Sequence, residues 1–353
     1  MDAQSLPAVD SKRVWTTLLT NTSYLTGALT LDYSLKKHKS RYPLVVLYTD
    51  TFSAEGLDEL RIRGIPTKRV KYLLPNVHKD YTNDPRFYDC WTKLTPFSLA
   101  EYDRVVQLDS DMLVLQNMDE LMEIELDPPS MAGKGNRVFA AGHACVCNPL
   151  KKPHYPKDWV PENCAFTSQH ATPDDAQIHG ASLGGSLGMP NGGLQVVNPS
   201  KETYEMIEAQ LAKNDIASYE FADQSLLGDV FRGRWVSLPY VYNALKTMRV
   251  QGVHDKIWRD DRVKNIHYIL SPKPWDEKPG EESQESHSWW WKYNLERLEA
   301  EASRQYNAVA APTETREEQL RPRTPYELVG DTVKETASGR TVMDELAATV
   351  RTH

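Results

Sequence analysis

The order of hydrophobic and polar positions predicts alternating strands and helices from the start of the chain. Val14-Trp15-Thr16-Thr17-Leu18-Leu19 is a continuous apolar and β-branched run, the pattern of a strand buried on both faces. A polar turn at Thr20-Asn21-Thr22-Ser23 follows. Tyr24, Ala28, Leu31 and Leu35 then recur at spacings of four, three and four, which places them on one face of a helix. Leu44-Val45-Val46-Leu47-Tyr48 predicts a second buried strand, and strand, helix, strand in this order implies a parallel pair with a helical crossover. The unit repeats less clearly with a helix near Ala54 to Arg63 and a strand near Lys68 to Leu73. Arg104-Val105-Val106-Gln107-Leu108 is the next buried strand.

Residues 126–190 are rich in Pro, Gly, Asn and His with weak periodicity, and read as a long insertion over the sheet edge. Order returns at Gly193-Leu194-Gln195-Val196-Val197. Pro199-Ser200 then opens a helix with Tyr204, Ile207 and Leu211 on one face. Beyond Trp275 the chain turns acidic and polar, carries the aromatic knot Trp289-Trp290-Trp291, and from about residue 308 is dominated by Thr, Glu, Arg and Pro. This divides the chain into a catalytic region over 1–275 and a polar, partly disordered tail over 276–353, with the tryptophans docked on the domain or on another surface.

Composition narrows the class. The 353 residues are 40% hydrophobic and 25% charged, which is globular, and a net charge of -8 argues against a general nucleic-acid binder. No apolar run approaches the roughly 20 residues of a membrane helix, and the first residues lack the basic start and apolar core of a signal peptide, so a cytoplasmic protein is expected. Cys90, Cys145, Cys147 and Cys164 are too few and too unevenly placed for a disulfide framework. His143, Cys145, Cys147, His154 and Cys164 all fall in one short stretch. Their Cys-x-Cys spacing departs from the usual zinc pattern, and they read as a packed lid with neutral histidines.

The chemistry centres on Asp109-Ser110-Asp111, which ends an apolar run and precedes another at Met112-Leu113-Val114-Leu115. Two carboxylates two residues apart on one side of a strand end can share a cation that holds a diphosphate. Neither phosphate-binding glycine fingerprint is present, and Gly184-Gly185-Ser186-Leu187-Gly188 lacks the spacing, so a nucleotide here would be held through a metal.

Eight ordered segments resemble glycosyltransferase family 8, the group of glycogenins, plant galactinol synthases and bacterial lipopolysaccharide galactosyltransferases. They are Leu18-Leu19-Thr20-Asn21 with Tyr24 and Gly27-Ala28; Thr92-Lys93-Leu94; Asp109-Ser110-Asp111; Asn191-Gly192-Gly193; Pro199 to Tyr204; Asp223-Gln224; Leu238 to Asn243; and His267 with Lys273-Pro274-Trp275. The resemblance implies an α/β, Rossmann-like nucleotide-diphospho-sugar transferase fold of GT-A type with a mostly parallel central sheet. It also implies metal-dependent transfer with retention of anomeric configuration. Asp109, Asp111 and His267 match ligands of Mn²⁺, a set that suits a cation of intermediate hardness. Leu18, Thr20, Asn21 and Tyr24 match positions that hold uracil and ribose, with Ser110 on the same donor. Lys273 matches a phosphate contact, Lys93 a neighbour of sugar and phosphate, and Asn191, Asp223 and Gln224 residues lining the sugar, so Lys93, Asp223 and Gln224 are the expected catalytic group.

The departures shape the function. An arginine expected nine residues before Lys93 is Asp84, with Arg86 nearby, and a glycine three residues after the metal histidine is Leu270. The segment Ala244 to Val250 has no tyrosine of the kind glycogenin glucosylates on itself. The leading expectation is a UDP-glucose- or UDP-galactose-dependent α-glycosyltransferase acting on a small hydroxyl such as a polyol, galactinol-synthase-like, with a homodimer left open. A glycogenin-like primer and an inactive sugar-nucleotide-binding scaffold are the alternatives. A glycoside hydrolase fits poorly, because its two acids must flank a sugar ring about 5 to 9.5 Å apart. Replacing either Asp109 or Asp111 is expected to remove activity and leave the fold intact.

Overall fold

A computed structural model describes residues 11–77, 80–81, 85–184 and 186–310. Among the described residues ten strands form two sheets: β1 (Arg13–Leu19), β2 (Leu44–Tyr48), β3 (Thr67–Arg69), β4 (Arg104–Leu108), β5 (Met112–Val114), β6 (Phe139–His143), β7 (Pro190–Val197), β8 (Val236–Ser237), β9 (Ala244–Leu245) and β10 (Asn265–His267). The helices are α1 (Leu25–Lys37), α2 (Ala54–Ile62), α3 (Arg86–Cys90), α4 (Ala165–Ser168), α5 (Lys201–Leu211), α6 (Ala222–Val230) and α7 (Glu285–Ala310).

The large sheet has the order β3-β2-β1-β4-β7-β6-β8. Strands β3, β2, β1 and β4 are mutually parallel, β7 runs against both β4 and β6, and β8 is parallel to β6. This is the expected mostly parallel α/β sheet. β4 and β7 are buried along their whole length. The polar Gln107 is tolerated in that layer because Thr16 Oγ1 donates to its Oε1 at 2.7 Å and its own amide donates to Leu108 O at 3.2 Å.

The small sheet, β5-β10-β9, carries the site. β10 is antiparallel to β5 with His267 opposite Met112, and parallel to β9 with His267 beside Leu245. Asp109, Ser110 and Asp111 therefore lie in the link between the two sheets, closed by Met112 N donating to Asp109 O at 3.2 Å. The expectation that strand pleating puts both acids on one side is corrected: a turn does so.

One further expectation changes, and one is made specific. The stretch 126–190 is not an insertion throughout, since Phe139–His143 is the buried strand β6 inside the large sheet and Ala165–Ser168 is α4. The tail also begins as structure, because α7 lies along α1. Thr30 Oγ1 donates to Asn294 Oδ1 at 3.0 Å, and Glu301 bridges Arg63 at 2.9 Å and Arg297 at 3.0 Å. The tryptophan knot docks on the domain itself: Trp290 is 0% exposed against Trp275, and Trp291 Nε1 donates to Pro274 O at 3.0 Å. Removing an indole of about 150–250 Å² from water favours that docking by roughly 4 kcal/mol or more, offset by roughly 1–3 kcal/mol because Trp290 Nε1 has no partner among the described residues. Residues 311–353, where the rest of the expected tail falls, lie outside the described residues. Among the described residues no helix is long and apolar enough to cross a membrane.

Candidate active site

The turn after β4, the start of β7 and the end of β10 meet at one point because of strand pairing. β7 is antiparallel to β4 with Leu194 opposite Leu108, so its first residues return beside Asp109, whose N–H donates to Gly193 O at 2.8 Å. β10 brings His267 to the same turn, and Tyr268 N donates to Asp111 O at 2.9 Å. His267 Nε2 lies 3.2 Å from Asp111 Oδ1 and 3.5 Å from Asp109 Oδ2.

A relay of amides orients that imidazole. Asn191 Nδ2 donates to Gln224 Oε1 at 3.1 Å, Asn243 Nδ2 donates to Asn191 Oδ1 at 2.8 Å, and Asn243 Oδ1 accepts from His267 Nδ1 at 2.9 Å. With Nδ1 turned to Asn243, Nε2 is the ring nitrogen that faces the carboxylates and is placed to ligate a cation held there. The three ligand atoms lie within 4.8 Å of one another. Two carboxylates and an imidazole thus fit a divalent cation of intermediate hardness. Asn243 is the residue that sequence reasoning missed; its signal was its place at the end of the Leu238 to Asn243 segment, which had no role assigned.

Two lysines neutralise the acids. Lys93 Nζ donates to Asp109 Oδ2 at 2.7 Å. Although its burial opposes charge, Asp109 holds its ammonium well above the usual lysine range. Lys273, 4% exposed, donates to Asp111 and, at 2.7 Å, to Tyr268 O. Burial pushes the Asp111 carboxyl up, but Lys273 and His267 outweigh it and hold it well below the ordinary range. Lys246, donating to Pro272 O at 2.7 Å, is lowered to about 8 by burial and by Lys273.

Asp223 behaves differently. It is 2% exposed, and its Oδ2 has no hydrogen-bond partner among the described residues. Burial raises it to about 7, against the opposing pull of Lys93. Gly192 explains how it reaches the site, since a Cβ there would sit 2.1 Å from Asp223 Oδ2.

Lys93, Asp109, Asp111, Asp223, His267 and Lys273 line a cavity of about 380 Å³. One wall is Leu18, Thr20, Asn21 and Tyr24; Thr20 Oγ1 donates to Asp89 at 2.8 Å, and the Tyr24 ring stands edge-on to Trp275 with centroids 5.7 Å apart. The lining also includes Cys145, Tyr155, Trp159 and Phe221, the last two stacked at 4.2 Å. Ser110, Asn191 and Gln224 also face the cavity, so every expected site residue is brought together there. Arg86 lines it as well and donates to Tyr24 OH at 3.4 Å, while Asp84 lies outside the described residues. Leu270, at the glycine position of the resemblance, has φ 64, a left-handed backbone of the kind glycine favours, and also faces the cavity.

The zinc-type side chains sort differently from expectation. His143 Nε2 lies 3.1 Å from Ala181 O and packs on Trp235, and His154 packs on Tyr155. Neither joins the cysteines, which gather around His254 instead.

The family model described as Glycosyl transferase family 8 matches residues 16–278. An uncharacterized protein of Acanthamoeba polyphaga mimivirus is 29% identical over 264 residues, 74% of this chain and 81% of its own. Galactinol synthase 1 of Ajuga reptans is 25% identical over 328 residues, 85% of this chain and 86% of its own. Among solved structures, the glycosyltransferase GlyE of Streptococcus pneumoniae aligns with TM-score 0.52 and 19% identity over 86% of this chain and 66% of its own. An active-site mutant of LgtC aligns with TM-score 0.53 and 14% identity over 79% of this chain and 95% of its own. The two structures share the fold.

Proposed function

The chain belongs to glycosyl transferase family 8, and on that footing we propose that it moves a hexose, glucose or galactose, from a UDP-sugar to a hydroxyl of a small acceptor such as a polyol, with retention of configuration. The observation that carries this reading is the convergence of Asp109, Asp111 and His267 with Lys93 and Lys273 on one cavity. When Mn²⁺ is bound by the first three residues, it supplies a Lewis acid for the charge that grows on the leaving diphosphate. Lys273 and Lys93 carry positive charge to the same place, and both are already immobilised, so little reorganisation is needed as that charge develops. The wall from Leu18 to Tyr24 is suited to the nucleoside.

Asn191, Asp223 and Gln224 line the hexose side. Asp223, held near neutrality between its two protonation states, can accept or donate a hydrogen bond to a sugar hydroxyl. The aromatic wall of Tyr155, Trp159 and Phe221 supports a small acceptor, because flat rings pack against the C–H faces of a polyol or sugar while its hydroxyls reach polar groups. The similarity to galactinol synthases over most of both chains supports the polyol.

Incubating the full chain with UDP-galactose or UDP-glucose and a polyol panel, with and without Mn²⁺, and following UDP release and product mass tests this. Mn²⁺-dependent UDP release coupled to a hexosylated polyol is expected. Binding of UDP-sugar without release under every condition would replace the enzyme by a sugar-nucleotide-binding scaffold.

A further inference from the structure

Away from the carboxylates, three thiols and one imidazole converge from three separate segments. Cys145 and Cys147 follow β6, Cys164 immediately precedes α4, and His254 comes from the loop after β9. His254 Nε2 lies 3.4 Å from Cys145 Sγ, 3.2 Å from Cys147 Sγ and 3.4 Å from Cys164 Sγ, and the four ligand atoms all fall within 4.8 Å of one another. Tetrahedral Zn²⁺ with bonds of about 2.3 Å to sulfur and about 2.05 Å to nitrogen has S···N edges of about 3.6 Å, close to the distances found. The cysteines are free, His254 is fully buried, and Cys164 is 3% exposed.

We propose that Cys145, Cys147, Cys164 and His254 form a structural Zn²⁺ site. Binding replaces the three thiol protons by the metal, giving three thiolates, one neutral imidazole and a net charge of one minus at the centre. Thiolates select a soft or borderline cation over Mn²⁺, and four protein ligands leave no open position for substrate. The second nitrogen of the imidazole is provided for: His254 Nδ1 lies 2.9 Å from His170 Nε2, so a neutral His170 ring accepts its hydrogen and fixes Nε2 as the ligand atom. Backbone bonds set the position of His254, whose N–H donates to Met248 O at 3.2 Å and whose carbonyl accepts from Ile257 and Trp258 at 3.1 Å each.

The metal's task follows from where its ligands come from. It ties the stretch after β6 to the loop after β9, and Cys145 itself lines the cavity beside Tyr155 and Trp159. The site holds the aromatic wall in place without touching the reaction.

The test is the metal content of the full chain, purified under reductant without chelator from zinc-supplemented medium. One zinc per chain is expected by elemental mass spectrometry, released by an organomercurial that titrates thiols. Replacing zinc by Co²⁺ should give the thiolate charge-transfer and ligand-field absorption of a tetrahedral site. Cys147→Ser and His254→Gln should each lose the zinc, whereas Asp109→Asn should retain it. If those two variants fail to fold, the zinc content and mercurial release of the unaltered protein still decide. Absence of zinc together with no cobalt spectrum, a disulfide among these cysteines under reductant, or zinc that survives both substitutions would each overturn the site.

Discussion

Two clusters of potential metal ligands lie at the two ends of one segment, 243–254, and they differ in nearly every property. Asn243 at the first end orients His267 beside Asp109 and Asp111; His254 at the second end meets three cysteines. The first cluster uses hard oxygens, faces the cavity and is flanked by Lys93 and Lys273, so it has both room and compensating charge for a diphosphate. The second has soft sulfurs and a full set of four protein ligands. Donor softness, open positions and neighbouring charge thus separate the cluster proposed to hold a substrate from the one proposed to hold a wall.

The largest effects should come from the carboxylate cluster. Asp109→Asn should lower transfer on the order of 10³-fold with an unchanged circular dichroism spectrum, because it weakens the hold on the cation that would meet the developing charge and leaves only the half-buried Lys93 without its partner. Asp111→Ala should be worse in a second way, which amends the expectation that either substitution spares the fold. It strands Lys273 in the interior, at a cost of about 3–5 kcal/mol in a denaturant melt. Equal stability of Asp111→Ala and Asp109→Asn would show that the two ion pairs are equivalent.

Lys273→Ala should come next, with a loss of about 10²-fold concentrated in turnover, since the diphosphate gains charge in the transition state. A raised Michaelis constant for the donor with unchanged turnover would reduce Lys273 to a binding residue.

Asp223 sharpens the contrast from the stability side. Its folded pKa of about 7 lies above its ordinary value of 3.8, so the buried neutral form favours folding at low pH. That contribution is complete below about pH 3.8 and is lost as pH rises through about 7, amounting to roughly 4 kcal/mol for about three units. Asp223→Asn should flatten the pH dependence of unfolding between pH 4 and 8 while transfer falls. A variant whose pH dependence matches the parent would mean that Asp223 is not the group that titrates there.

How much of this was legible follows from range. β1, β2 and β4 announced themselves because both faces are buried, and α5 because Ser200 caps it, its Oγ accepting from Thr203 N at 3.1 Å. β6 was hidden: Phe139-Ala140-Ala141-Gly142-His143 is short, small and set in a Pro- and Gly-rich stretch, and only pairing with β7 makes it a strand. α7 was masked by the bulk of three adjacent tryptophans. The carboxylate cluster was legible because two of its ligands are local and the ordered resemblance supplied His267. The cysteine cluster was not, because His254 lies 90 residues beyond Cys164 and no spacing rule connects them.

The smallest expected effect is none, and it concerns the segment that joins the two clusters. A self-priming enzyme needs a chain hydroxyl that can reach the cavity, and Ala244 to Val250 offers only Thr247, which lines the cavity but is 7% exposed. Both ends of the segment are committed, Asn243 to His267 and His254 to the thiols, and between them Lys246 is bonded to Pro272 O. A strap held at three points cannot swing a hydroxyl to the reacting carbon. The neighbouring tyrosines are no better placed: Tyr240 OH accepts from Arg259 N at 2.8 Å in the core, and Tyr242 OH donates to Glu120 at 2.8 Å. The intact mass of the protein after incubation with UDP-sugar and Mn²⁺ should therefore stay that of the unmodified chain while an added polyol gains hexose. A ladder of hexose additions on the protein would restore the glycogenin-like alternative and show that this segment moves.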